Sequence, residues 1–160
     1  DFVVLFSEIE VTNKISTYLL LRIILEGTGD GLPIDIYSSN LSLEHIMPEK
    51  PDYENEWSVD SFFQKQNEDG EFVKYPLNRE LHAKYIMRLG NHTILTIPDN
   101  SELSNKSFIQ KLPTYNTDGM PFITKGDEPF SVTAYDTWDA HSINSRQKAL
   151  SEIAKTIWGF

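Results

Sequence analysis

The chain contains no cysteine among its 160 residues. Disulfide staples, cysteine-bound zinc and thiol nucleophiles are therefore excluded, and the absence fits a reducing, cytoplasmic setting. Cations are scarce: 14 Lys and Arg stand against 24 Asp and Glu, a formal net charge of −10. Holding a polyanion rests on Lys and Arg, so this balance excludes a domain that grips nucleic acid unaided over a broad basic face. It leaves room for a catalytic domain that another domain brings to its polyanion. Long apolar runs are missing too. The strongest, Tyr18 to Leu25, is interrupted by Arg22 and is far shorter than the roughly 20 residues of a bilayer-spanning helix. Nothing reads as a secretory leader, so no membrane partner is expected. No Gly-rich Lys-Ser/Thr loop occurs either, and specific nucleotide binding is not expected of this chain.

What is present suits a folded domain. The 39% apolar and 12% aromatic content is enough for one core that buries about two-thirds of the unfolded surface. The chain opens on Asp1 and passes straight into an apolar stretch, which reads as a piece of a longer protein.

Residues 1–34 read as a helical region with a break near Val11 to Asn13. Asn13 suits a cap for a helix with Ile15, Tyr18, Leu19 and Ile23 inward and Leu20–Leu21 loosely so. Gly27, Gly29, Gly31 and Pro33 end it. Leu41 to Met47 predicts a strand stopped by Pro48. Val59 to Lys65 predicts a short helix, and Gln66 to Gly70 a turn. Helical spacing returns at Asn78 and stops at Gly90–Asn91, where the β-rich run His92 to Ile97 begins. A helix is expected from Asn100 to Leu112, mostly loop over 113–130, and a C-terminal helical cap over 138–160. The buried stripe of that cap is Ile143, Leu150, Ile153/Ala154 and Ile157/Trp158, with Trp138 beside it.

Three short stretches can carry chemistry. Leu43-Glu44-His45-Ile46-Met47-Pro48 sets a carboxylate beside an imidazole at a strand end. A histidine there can act as a base near neutral pH, and the glutamate can hold a hard cation; a structural histidine beside a surface glutamate is the commoner meaning of those six residues taken alone. In Leu89-Gly90-Asn91-His92-Thr93-Ile94-Leu95, Asn91 either bonds across the turn to another strand or is an ordinary turn residue. Beyond Pro98, Asn100 either caps a helix or offers its amide oxygen to a metal. Lys106 and Lys111 follow and suit a phosphate as point charges, or stand solvated.

Together these stretches resemble the C-terminal nuclease domain of GmrSD-type modification-dependent restriction enzymes, an HNH (His-Me finger) family. The likeness runs through Leu43–Pro48, Leu89–Leu95, Asn100 and Ser104–Asn105–Phe108–Lys111, and on through Trp138, Ile143, Arg146, Leu150, Ala154 and Ile157–Trp158. It implies an α+β fold: a ββα-metal unit over 41–112 set among helices, with a long insertion, 49–88, between its two strands. It makes 1–160 a single nuclease domain. It implies His45 as general base, Asn91 as the residue that keeps the base-bearing strand in register, and Glu44 and Asn100 as ligands of Mg2+ or Mn2+. Asn105, Lys106, Lys111 and Arg146 are the phosphate candidates, with Arg146 alternatively paired to an internal carboxylate. The implied substrate is double-stranded DNA, possibly modified, and the implied partner is a nucleotide-hydrolysing recognition domain. A module that keeps the fold but only binds or regulates is the competing expectation, and RNA a competing substrate. Neighbours on a strand point to opposite faces, so Glu44 and His45 share a site only at a strand edge or bulge.

Overall fold

The computed structural model describes residues 2–27, 40–52, 57, 64–66, 69, 72–74 and 79–159. Helices α1 (Phe2–Ser7) and α2 (Asn13–Gly27) come first, with the anticipated break between them. The cap of α2 is Thr12 and not Asn13. Thr12 Oγ1 accepts the Ile15 amide at 3.4 Å, and its carbonyl accepts that of Ser16 at 2.8 Å. The buried stripe is also turned from the expected one: Ser16, Leu20, Ile23 and Ile24 face inward, while Ile15 and Tyr18 are exposed. The reason is polar, and apolar spacing does not register it. The Ser16 hydroxyl lies 2.6 Å from Nδ1 of the buried His92.

Strand β1 (Leu41–His45) pairs antiparallel with the later strand β4 (His92–Thr96), Glu44 opposite Thr93 and His45 opposite His92. Between them lie β2 (Gln64–Gln66) and β3 (Phe72–Lys74), a second antiparallel pair, and helix α3 (Arg79–Ile86). The helix expected over Val59–Lys65 falls largely outside the described residues; at Gln64 and Lys65 the chain is strand. Of the turn expected over Gln66–Gly70, Gln66 is strand, Asp69 is turn and the rest lies outside the described residues.

A 3-10 turn, Leu89–Asn91, leads into β4, and helices α4 (Ile97–Leu103) and α5 (Phe108–Tyr115) follow. The single helix expected from Asn100 to Leu112 is thus two. Ser107 starts the second with a capping box: its hydroxyl accepts the Gln110 amide at 3.4 Å, and Gln110 Oε1 accepts the Ser107 amide at 3.1 Å. Helix α6 (Ala140–Trp158) is capped by Asp139 and ends on Gly159 in the left-handed region. The fold is α+β, a small antiparallel sheet among helices.

β4 is covered on both faces, and its alternation sends successive side chains into two cores. Leu95 joins Ile46, Met47, Leu103, Phe108 and Trp138. Ile94 joins Leu20, Ile23, Leu89, Leu150 and Ala154 from the α2 and α6 side. The sheet is therefore the partition between the cores, and what is attached to its ends is fixed from both sides. Of the C-terminal stripe, Trp138, Ile143, Leu150 and Ala154 are buried and Ile153, Ile157 and Trp158 half-buried.

His92 is fully enclosed. Its Nε2 lies 2.7 Å from the Ile86 carbonyl, which only accepts, so Nε2 carries the proton and Nδ1 accepts from Ser16. Burial first, then the neighbouring His45 and Arg146, lowers its pKa to about 3. Between the ordinary histidine value and that one, the unfolded chain binds a proton that the folded chain refuses. Stability is therefore highest above pH 6.5 and falls as pH drops through this window, by about 1.4 kcal/mol per pH unit from this group. Urea titrations at pH 7 and pH 5 are expected to differ by about 2 kcal/mol on its account. The variant His92→Gln is expected to show a correspondingly flatter acid slope.

Candidate active site

A groove of about 340 Å³ crosses the end of β1. Glu44, His45 and Asn100 meet there, with Pro48, Glu49 and Lys50 on the strand side and Ser104 and Asn105 at the end of α4. Because β1 stops at His45, side chains that leave the strand on opposite faces both reach the groove across its end.

His45 is mostly enclosed and stacks edge-on against His92, its cross-strand partner, with ring centroids 4.5 Å apart. Its Nε2 is buried 3.4 Å from Glu49 Oε1, close enough to feel the carboxylate but without hydrogen-bond alignment. Burial lowers the His45 pKa, the Glu49 carboxylate opposes this, and Lys111 adds to it. The ring is thus neutral near pH 7 and able to accept a proton.

Glu44 is 2% exposed. One of its oxygens, Oε1, accepts from Lys111 Nζ at 2.7 Å and from the Tyr115 hydroxyl at 2.8 Å. The other, Oε2, has no hydrogen-bond partner among the described residues, and Glu44 lines the groove. Burial raises the Glu44 pKa and lowers that of Lys111, each shift opposed by the partner's charge. The Lys111 ammonium also donates to the His45 and Ile46 carbonyls, both at 3.1 Å. Its three protons are all taken, in a site with no exposure.

Asn100 donates both amide protons to β1, to Ser42 Oγ and the Leu43 carbonyl, each at 2.8 Å. This anchors α4 beside Glu44 and leaves the amide oxygen without a partner among the described residues. Asn91 lies under the groove, fully buried. Its Oδ1 accepts from the Met47 amide at 2.8 Å and the Trp138 indole at 3.0 Å. Its Nδ2 donates to the Met47 carbonyl at 2.9 Å and to that of Ile86 at 3.3 Å. The residues just past His45 are therefore clamped to the start of β4.

Three of the four phosphate candidates, Arg146, Lys111 and Lys106, do not line the groove. Arg146 is fully buried and donates to the carbonyls of Phe130, Gly90, His92 and Ile123 at 2.7 to 3.0 Å. Neither a phosphate nor an internal carboxylate is its partner; a guanidinium so enclosed finds its acceptors in the backbone. Lys111 is taken up by Glu44 as described. Lys106 stays half-exposed, 3.7 Å from Glu102, and does not line the groove. Asn105 does line it. Glu49 and Lys50 are groove residues that motif spacing passes over, and Ser104 is a motif residue to which no role is assigned. The i,i+4 interval from His45 to Glu49 was the available signal, but an adjacent Glu-Lys pair after a proline reads as solvated surface. Among the described residues, no group of three or more His, Asp or Glu is placed to hold a metal on its own, and no helix is long and apolar enough to cross a membrane.

Residues 4–153, nearly the whole chain, match the family model for the C-terminal domain of GmrSD restriction endonucleases. No curated protein and no solved structure matches the chain.

The buried donors generate a stability prediction. Arg146→Ala strands four carbonyls and is expected to cost about 3 kcal/mol or more, read as a lower urea midpoint. Tyr115→Phe removes one donor from Glu44 and is expected to cost about 1–2 kcal/mol. An Arg146→Ala protein as stable as the parent would remove the clamp from this description.

Proposed function

The chain belongs to the family of GmrSD restriction endonuclease C-terminal domains, and we propose that it is the module that cuts DNA, by metal-assisted hydrolysis of a phosphodiester. In this reading β1, β4 and α4 form a ββα unit of the His-Me finger type, with residues 46–91 inserted between its strands. One observation carries the reading. Asn100 gives both amide protons to β1, and around one groove its amide oxygen and the second oxygen of Glu44 stand without hydrogen-bond partners among the described residues, beside the His45 ring.

Two neutral-to-anionic oxygens suit a hard divalent ion that keeps most of its water, Mg2+ or Mn2+, and there is no sulfur ligand to favour a softer one. Glu44 and Asn100 would hold it, and the bound ion supplies Lewis-acid stabilisation of charge on the phosphate and the departing oxygen. His45, neutral through burial, takes the proton from the attacking water. Glu49 then faces the imidazolium and steadies its charge. Lys111 and Tyr115 fix the orientation of Glu44, and Asn91 keeps His45 at its height above the sheet. The substrate in this reading is double-stranded DNA in the cytoplasm, possibly modified. A nucleotide-hydrolysing partner domain recognises and delivers it, since the charge of −10 is ill suited to capturing DNA alone. The same charge is the one observation that favours a module without activity, and a plasmid-nicking assay with Mg2+ or Mn2+ separates the two.

His45→Ala is expected to lower the nicking rate by roughly 10²–10⁴ with an unchanged circular dichroism spectrum. Asn100→Ala is expected to weaken Mn2+ binding in calorimetric titration. Full activity in the first variant, or unaltered affinity in the second, would overturn the corresponding role.

A further inference from the structure

We infer that Lys50 holds the DNA phosphate next to the one that is cut, on a wall completed by Ser104 and Asn105; this rests on the DNA-cutting reading above. An acidic domain meets a polyanion through the cations it leaves unpaired, and here they are few. Lys111 and Arg146 are sealed inside, and Lys106 sits by Glu102. Arg22 pairs with Glu26, Lys84 with Glu10 at 3.6 Å and Lys125 with Asp118 at 2.8 Å. Arg88 bonds Asn144 and the Ser7 carbonyl. Lys14, Lys148 and Lys155 do not line the groove. Among the described residues, Lys50 is the cation that lines it, exposed and without a carboxylate or carbonyl partner. The neighbouring Glu49 is turned to His45 and Asn13.

The backbone on either side of Lys50 is fixed. Before it, Met47 is held by two hydrogen bonds to Asn91. After it, the Trp57 amide donates to the Asp52 carbonyl at 2.8 Å, and its indole donates to the Asn105 carbonyl at 3.4 Å. The lysine thus stands three residues past the clamp under His45, and Trp57 bonds the opposite wall. On that wall Ser104 has φ 42 and ψ −122, a conformation an L-residue rarely adopts, and both Ser104 and Asn105 are exposed, their side chains without a hydrogen-bond partner among the described residues. Strain of this kind persists where the surrounding structure enforces it, commonly at ligand sites. An ammonium on a flexible stem, facing two neutral polar side chains, suits a phosphate oxygen held by charge without a fixed fork. Such a contact positions DNA and reads no base.

The experiment measures binding of labelled duplexes by anisotropy across a salt series, in the His45→Ala background so that the DNA stays intact. Lys50→Gln is expected to weaken binding severalfold, equally on duplexes of unrelated sequence, and to lower the salt slope by about one. Lys50→Arg is expected to keep both. Lys148→Gln, exposed but away from the groove, is expected to change neither, and Mn2+ affinity should be the same in all. In the His45 protein, Lys50→Gln is expected to raise KM with little change in kcat. If the parent binds and cuts while Lys50→Gln keeps its affinity and slope, the Lys50 assignment falls and the nuclease reading stands. A loss matched by Lys148→Gln reports bulk charge and also overturns it. A parent that neither binds nor cuts DNA, alone at the lowest salt or together with its recognition domain, overturns both.

Discussion

Four backbone carbonyls converge on the Arg146 guanidinium, and the architecture of the groove depends on that convergence. The acceptors come from the turn before β4, from the first residue of β4 and from the loop that precedes α6. Enclosing a charge is costly unless its hydrogen bonds are met, and these donors meet them with main chain, which no side-chain rearrangement can withdraw. Burial brings the Arg146 pKa down to about 10, so the group stays charged at neutral pH. Helix α6 also approaches Gly90 so closely that a Cβ there would strike the Ile143 carbonyl and come within 2.9 Å of Gln147 Cβ. Gln147 uses the contact, accepting the Gly90 amide at 3.0 Å. Glycine is required at that position because another backbone occupies the place of its side chain.

From this clamp the order passes to the groove by two routes. Asn91, next to Gly90, takes the backbone of Met47 and so sets the end of β1. Lys111 and Tyr115 reach the same strand end from α5 and hold Glu44 by one oxygen. Glu44 and Asn100 thus line the groove with part of their polar atoms tied to the protein. Preorganisation of that kind lets polar groups act without rearranging at the moment of reaction.

Much of this was legible in the sequence, and the lapses have a common cause. The strand at Leu41, the β-rich run from His92, the turn at Gly90–Asn91 and the long C-terminal helix follow from alternation, breakers and helical spacing. Glu44, His45 and Asn100 could be nominated because strand-end and helix-start positions bring them to one end of the sheet. What spacing could not reveal was polar burial. Ser16, Arg146 and Gln147 sit on inward faces where apolar periodicity expects Leu or Ala, so the stripe of α2 is turned from the expected one, and Arg146 meets neither the phosphate nor the internal carboxylate expected of it but four backbone carbonyls. Lys111 was read as a solvated or phosphate-bound cation because its partner, Glu44, lies far away in the chain. Lys50 and Glu49 were invisible for the opposite reason, since nothing local distinguishes a groove wall from any acidic, solvated loop.

The wide separation of the clamping residues along the chain bears on the order of assembly. Glu44 and His45 are made early, Asn91 well after them, and Trp138 and Arg146 later still. During vectorial synthesis β1 has no partner until a long loop closes, and the turn that carries Asn91 has no guanidinium to gather its carbonyls until α6 has left the ribosome. A nascent or prematurely ended chain therefore exposes the His45 segment without the arrangement that makes it a site. If the groove is the nuclease site proposed above, this delay is a safeguard: competence waits for α6, whose packing also stabilises the domain.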